Sequence, residues 1–242
     1  MGREGVMKNR YKRILLKLSG EGLMGNKSCG IDDDILDMFA NSIKKVYDRG
    51  VALCIVIGGG NFYRGVNNTN KAVPRSVADQ AGMLATVINA LFLKSTLINK
   101  GIPAEVLSGL HVPQATLDYS FREADKLLKE KNVLIFAGGT GNPYFTTDTG
   151  ATLRALESGC EALFKATQVD GVYDSDPKKN PKAKRYDEIS YDEVIANNLK
   201  VMDMTAISMA RENKLPVIVF KHEDENSLLN AFSGKGKYTI IK

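Results

Sequence analysis

The stretch VALCIVIGGGNFYRG, Val51 to Gly65, is continuously apolar for seven residues and then stops in three glycines, an asparagine and, shortly after, an arginine. An apolar run without polar alternation reads as a strand covered on both faces, the signature of a parallel sheet. Glycines give such a strand nothing to pack and lose more conformational freedom on folding than other residues. They belong where something comes close to the backbone, so this segment predicts a buried strand ending at a site.

Outward from it, similar runs recur. Arg13 to Ser19, Ala104 to Leu107, Val133 to Ala137, Ala162 to Ala166 and Val217 to Phe220 read as further buried strands. Helical patterns lie between them: Asp33 to Arg49, Arg75 to Lys100, Phe121 to Lys131, Thr149 to Ser158 and Asp203 to Lys214. Strands alternating with helices over short connections predict an α/β fold, a three-layer α/β/α sandwich around a mainly parallel central sheet. In such sheets ligands gather beyond the carboxyl ends of the strands.

Composition is compatible with this and narrows the function classes. At 242 residues the chain fits one large domain or two closely joined lobes, and 43% hydrophobic with 25% charged residues is ordinary for a globular protein. Lys and Arg exceed Asp and Glu by 33 to 28, a mild bias toward anionic ligands that does not call for nucleic acid. Cys29, Cys54 and Cys160 are far apart and lack metal-ligand spacing, so neither a disulfide framework nor a zinc site is expected, and a reducing, cytoplasmic setting is. The charged start, MGREGVMKNRYKR, has no apolar segment behind it because Lys17 interrupts ILLKLS, and no run of about 20 apolar residues predicts a membrane span. Residues 1–10 are expected to be loose, with a single domain over 11–242.

Three predicted strands end unusually: at Lys17, Ser19 and Gly20; at Gly58 to Arg64; and in GGTGNPYFTTD, Gly138 to Asp148. A lone lysine in a strand is ordinarily an exposed edge residue, but the apolar residues before Lys17 argue for a covered strand, where the lysine needs an anionic partner. Glycine turns expose backbone N–H groups that make concave phosphate donors. Named phosphate motifs do not account for them. GEGLMG, Gly20 to Gly25, has the spacing of a dinucleotide fingerprint, yet no helix opens on it and the next strand ends in glycine where an acidic residue is needed. There is no Walker-type G-x-x-x-x-G-K-[ST], no G-x-S-x-G, and His111 and His222 are too isolated for a triad or a zinc helix.

The blocks KRILLKLSGEGL, VIGGGNFYRG, ADQAGMLATVINAL, GGTGNPYFTTD, KATQVDGVYDSDP and LKVMDMTAISMARENKLPVIVF, in this order from about Tyr11 to the C-terminus, resemble those of the bacterial uridylate kinases of the amino acid kinase fold. The resemblance implies transfer of the ATP γ-phosphoryl to UMP, with Mg²⁺ accompanying ATP, in pyrimidine nucleotide biosynthesis. It further implies a UMP-binding lobe over about 11–160 and an ATP-binding lobe over about 161–242. By resemblance Lys17, Arg64, Asp148 and Asp203 are the catalytic candidates. UMP falls to Gly59, Arg64, Asp79, Thr140, Gly141, Asn142, Pro143, Tyr144, Phe145, Thr146 and Thr147. ATP falls to Lys17, Leu18, Ser19, Gly20, Gly60, Arg64, Lys165, Thr167, Tyr173 and Asp176. No metal-ligating side chain is assigned.

Simpler roles stand beside several of these. Asp79 near the start of its helix and Asp148 before the next suit helix-terminus charge or capping. DSDP around Asp176 suits a turn. Asp203 suits a cap as well as it suits orienting the lysines or the metal. The helix Arg75 to Lys100 is apolar over more than one stripe, through Val77, Leu84, Ile88 and Phe92 among others, and is either internal or shared with another subunit. The resemblance favours sharing, in a homohexamer built from dimers, with GTP as activator and UTP as inhibitor. Three rivals stay open: a kinase of the same fold acting on an acidic amino acid or carbamate, a nucleotide- or anion-binding protein without turnover, and an RNA-binding module, for which no aromatic stacking platform is evident.

Overall fold

The computed structural model describes residues 10–63 and 72–242. All but Arg10 of the segment expected to be loose, and Arg64, lie outside the described residues. The described residues form eleven strands: β1 (Arg13–Leu18), β2 (Ala52–Ile57), β3 (Ala104–Ser108), β4 (Leu117–Asp118), β5 (Val133–Ala137), β6 (Ala162–Thr167), β7 (Val172–Tyr173), β8 (Arg185–Tyr186), β9 (Glu188–Ile189), β10 (Val217–Lys221) and β11 (Tyr238–Ile241). The helices are α1 (Asp33–Tyr47), α2 (Arg75–Asn99), α3 (Phe121–Lys129), α4 (Thr147–Glu157), α5 (Tyr191–Ala196), α6 (Met204–Glu212) and α7 (Ser227–Phe232).

Nine strands form one sheet in the order β4-β3-β5-β2-β1-β6-β10-β11-β9, and β7 pairs with β8 apart from it. Within the large sheet every pairing is parallel except β10 with β11. The six strands predicted from apolar runs are thus the contiguous centre, as fully buried parallel strands should be. Two cores flank it. Ile14, Leu16 and Leu18 of β1 pack with α1, α2 and α7 on one side. Leu15 of the same strand packs on the other with α3, α4, α5 and α6. This alternation gives a three-layer sandwich, with Lys17 on the α4 side.

Local chemistry sets the helix starts. Asp32 caps α1, accepting from Asp34 and Ile35 N–H, and Ser120 caps α3. The helix predicted from Thr149 begins two residues earlier, and its cap is Thr146, whose Oγ1 accepts from Asp148 and Thr149 N–H at 3.0 and 3.3 Å. Asp148 is therefore not the cap, which frees its carboxylate for other partners. Of the described helices α2 alone is long and apolar enough to cross a membrane, although no such segment was expected; here its inner face is packed on the sheet.

His222, just after β10, stacks on Phe39 with ring centroids 4.3 Å apart, and its Nε2 lies 3.1 Å from Ser42 Oγ. Burial holds its pKa down to about 4, against a smaller opposing pull from Asp224. An unfolded imidazole titrates near 6.5, so between the two values the unfolded chain binds the extra proton and stability falls as pH falls, by at most about 3 kcal/mol. Thermal midpoints measured from pH 6.5 to 4 should fall less steeply for His222→Gln than for wild type. Parallel curves would remove the imidazole as the cause.

Candidate active site

β1 and β6 are neighbours in register, with Lys17 opposite Lys165. In a parallel pair, residues opposite each other share a face, so both ammonium groups leave the sheet on the α4 side, and both lysines are buried. Between them stands the carboxylate freed at the start of α4. Lys17 Nζ lies 2.9 Å from Asp148 Oδ1, and Lys165 Nζ donates to Asp148 Oδ2 at 2.6 Å. Lys165 also donates to Val201 O at 2.6 Å. Burial by itself raises the Asp148 pKa, but the two lysines outweigh it and hold the carboxyl below its ordinary value. The Lys165 pKa is lowered as well: burial pulls it down, the attraction of Asp148 offsets this only in part, and the repulsion of Lys17 adds to the lowering. One carboxylate shared by two ammonium groups leaves an excess positive charge in a partly dry site, which an incoming anion can neutralise.

Asp203 steadies this arrangement from behind. It caps α6 by accepting from Ala206 N–H at 3.1 Å, accepts from Thr149 Oγ1 at 2.9 Å, and accepts from the hydroxyl of Thr146. The start of α4 is thereby tied to the start of α6. Asp203 is bonded to neither lysine, and its contacts are those of a residue that places Asp148.

The glycine turns after β1 and β2 press together. A Cβ on Gly20 would fall 2.4 Å from Gly58 O, and one on Gly59 would fall 2.6 Å from Gly82 O. No side chain fits at either place, so close approach of backbones explains these glycines before any ligand is considered. Among the hydrogen bonds of the described residues, the N–H groups of Gly59 and Gly60 donate to no acceptor. The turn after β5 runs through left-handed Gly138, Gly139 and Gly141, and Tyr144 shares that conformation at φ 72°.

These turns bound a cavity of about 380 Å³ whose walls include Lys17, Ser19, Gly20, Gly58 to Gly60, Asp79 and Tyr144 to Asp148. At its mouth Tyr144 N–H donates to Asp79 Oδ2 at 2.9 Å, Arg75 Nε lies 3.4 Å from the same oxygen, and the Arg75 guanidinium covers the Tyr144 ring at 4.9 Å. Two further hollows continue along the sheet's carboxyl edge. One of 300 Å³ shares Ser19 with the first and reaches Thr167, Gln168 and His222. The next, of 600 Å³, shares Gln168 and Glu223 with it and is lined by Tyr173, Lys178, Lys221 and Lys237.

The model of the amino acid kinase family matches residues 12–221. A uridylate kinase from Rickettsia canadensis is 52% identical over 233 residues, 96% of each chain. The chain belongs to the amino acid kinase family, among the uridylate kinases. Among solved structures, a UMP kinase from Ureaplasma parvum has a TM-score of 0.92 at 38% identity, covering 96% of this chain and 99% of its own. One from Bacillus anthracis has a TM-score of 0.90 at 34% identity, covering 96% of each.

Within this amino acid kinase the residues carried over by resemblance separate into groups. Lys17, Ser19, Gly20, Gly59, Gly60, Asp79, Tyr144, Phe145, Thr146, Thr147 and Asp148 meet at the first cavity. Thr140 and Asn142 bond each other in the turn beside it, and Gly141 packs on Gly109, so these three and Pro143 shape the loop without lining the cavity. Leu18 is wholly buried and offers only backbone. Asp176 accepts from Lys178 N–H at 3.0 Å, the turn role that DSDP suggested. Tyr173 donates to Asp170, and Thr167 donates to Val169 O at 2.6 Å. Arg75, Met83 and Thr86 also wall the cavity and were not anticipated. Thr86 and Asn89 were visible as polar residues in the apolar run MLATVINALFL, at a spacing that puts them on one helix face.

Proposed function

We infer that the protein transfers the γ-phosphoryl group of ATP to UMP, releasing UDP and ADP, in the cavity between the glycine turns. The observation that carries this is the Lys17–Asp148–Lys165 cluster, a buried site with surplus positive charge at the ends of adjacent parallel strands. A UMP phosphate oxygen forms the new bond to the γ-phosphorus while the bond from that phosphorus to the β–γ bridging oxygen breaks and its electrons leave with ADP. Charge spreads over the equatorial oxygens in between, so the protein's task is alignment and neutralisation. Lys17 meets the group in flight and Lys165 the ATP phosphates, while Asp148 keeps both lysines in place until the phosphates share them.

UMP occupies the first cavity, with its ribose at Asp79, its phosphate at Gly59 and Arg64, and its uracil on the part of the Thr140 to Thr147 loop that lines it, Tyr144 to Thr147, held in shape by Thr140, Gly141, Asn142 and Pro143. ATP lies along the two further hollows, its phosphates near Leu18 to Gly20, Gly60 and Lys165 and its nucleoside toward Thr167, Tyr173 and Asp176. This divides the domain into an acceptor lobe over about 11–160 and a donor lobe over about 161–242. Mg²⁺ would arrive with ATP and neutralise phosphate charge during transfer; no side chain of this chain is assigned to hold it. The setting is cytoplasmic. On the outer side of α2, Val77, Leu84, Ile88 and Phe92 are 41–50% exposed, a stripe suited to a second subunit in a hexamer of dimers. GTP activation and UTP inhibition complete the proposal. Light scattering and effector titrations test these last two parts.

ADP release measured with UMP, CMP, TMP, glutamate, aspartate and carbamate tests the main reading. UMP should be strongly preferred over CMP, because groups that bond uracil's carbonyls and N–H are left unpaired against cytosine. Equal turnover of the two would reject it. Asp79→Ala should raise the KM for UMP about tenfold with kcat little changed, since its bonds to ribose persist from ground state to transition state. The variant should also discriminate less between UMP and dUMP; unchanged discrimination would mean that Asp79 does not read the 2′-hydroxyl.

A further inference from the structure

The inner face of α2 carries two buried polar side chains one turn apart, Thr86 and Asn89, where a helix packed on a sheet ordinarily has apolar ones. Asn89 Nδ2 donates to Gly58 O at 2.7 Å and to Asn61 Oδ1 at 2.7 Å. Asn61 Nδ2 in turn donates to Asn89 Oδ1 at 2.9 Å and to Gly30 O at 3.0 Å. Every amide N–H of the pair is used, and the two backbone carbonyls fix which way each amide faces. Thr86 Oγ1 donates to Met83 O at 2.6 Å and accepts from Gly138 N–H at 2.8 Å. One helix face therefore holds the turn after β2 through Asn89 and the turn after β5 through Thr86.

The anchored groups matter for chemistry. A trans peptide is planar with its C=O and N–H antiparallel. Fixing Gly58 O toward α2 therefore fixes the Gly59 N–H to point away from that helix, and this N–H is one of the unengaged donors at the cavity. Gly138 begins the segment that leads through Gly139 to the loop of Tyr144 to Thr147.

We propose that Asn89 and Thr86 are positioning residues for phosphoryl transfer: Asn89, with Asn61, aims the Gly58 to Gly60 turn at the transferring group, and Thr86 sets the acceptor loop. This rests on the cavity being the transfer site. Misplacing oriented donors by a fraction of an ångström weakens the transition state more than the ground state, whereas misplacing the acceptor loop weakens UMP binding itself. The two residues thus leave different kinetic signatures.

Asn89→Leu removes the donors at similar volume; Thr86→Val removes the hydroxyl in place, and Thr86→Ser restores it. Steady-state constants should be measured on the purified full chain well below each variant's melting temperature. Asn89→Leu should lower kcat about tenfold or more with both KM values changed less than about threefold. Thr86→Val should raise the KM for UMP about tenfold and leave that for ATP near wild type, with Thr86→Ser recovering most of the loss. If Asn89→Leu does not fold, Asn89→Ser, which leaves room for water to satisfy Asn61, should show the same loss confined to kcat. Lys17→Ala belongs in the same assay: wild-type kcat there would overturn the site itself. A large loss in Lys17→Ala beside wild-type constants in the Asn89 and Thr86 variants, with only melting temperatures lowered, would overturn the positioning role alone.

Discussion

Lys17→Ala should lower kcat by roughly two to three orders of magnitude, the range found when one preorganised donor to a developing charge is removed, while the protein stays folded. The lysine is buried and its ammonium group 2.9 Å from Asp148 stands at the cavity wall, on the same side of the sheet as Lys165. In the variant Lys165 keeps its 2.6 Å bond to Asp148, so the carboxylate is not orphaned and the melting temperature should move by only a few degrees. What is lost is charge at the one moment when the phosphoryl group belongs to neither nucleotide. A split of kcat from KM is the measurement. A loss confined to KM for ATP or UMP would make Lys17 a ground-state contact.

Asp148→Asn should act on stability as well as on rate. The substitution keeps the shape but leaves two buried ammonium groups facing each other without the carboxylate between them. Removing one side of a buried ion cluster destabilises by about 3–5 kcal/mol, which for a chain of this length lowers the melting temperature by roughly 10 °C. Inorganic phosphate or ATP should raise the variant's melting temperature more than the wild type's, because an anion supplies the missing charge. Equal shifts in both proteins would show that the lysines are not the anion's partners. The pH dependence has a definite sign. The folded carboxyl titrates below its ordinary value, so its stabilisation is complete above the unfolded value near 3.9 and is lost only as pH falls through the folded value. Wild type and variant should converge in stability in that acid range.

The centre of the fold was legible because buried parallel strands are written as apolar runs without polar alternation, as in ILL and LCIVI, and six of these account for β1, β2, β3, β5, β6 and β10. The periphery was not. β4, β7, β8 and β9 are two-residue pairings, and α5 and α7 are six residues long, too short for either period to repeat. β11 returns antiparallel beside β10 from a glycine-lysine stretch that carries no hairpin signal. At the site, the sequence supplied Lys17 and the glycine turns through chemistry that looked out of place in a strand. It could not supply the pairing of Lys17 with Lys165 through Asp148, which depends on strand register between residues far apart in the chain. Asp148 suits a cap in sequence because a carboxylate just inside a helix and one at its cap are indistinguishable there; in space the cap is Thr146. Thr86 and Asn89 are legible only as two polar residues among the apolar ones of α2; what they hold is set by packing between segments far apart in the chain.

Pinning two strand-end turns to one helix also changes what kind of element those turns are. Loops at a ligand site ordinarily open by local fluctuation, and their amides exchange with solvent quickly. The Gly138 amide is bonded to Thr86 and the Gly58 carbonyl to Asn89, one helical turn apart in the middle of a 25-residue helix. Neither can be released without disturbing the segment that holds the other. The turns therefore belong to the same cooperative unit as α2, and the Gly138 amide should exchange on the slow timescale of that helix and not on the timescale of a surface loop.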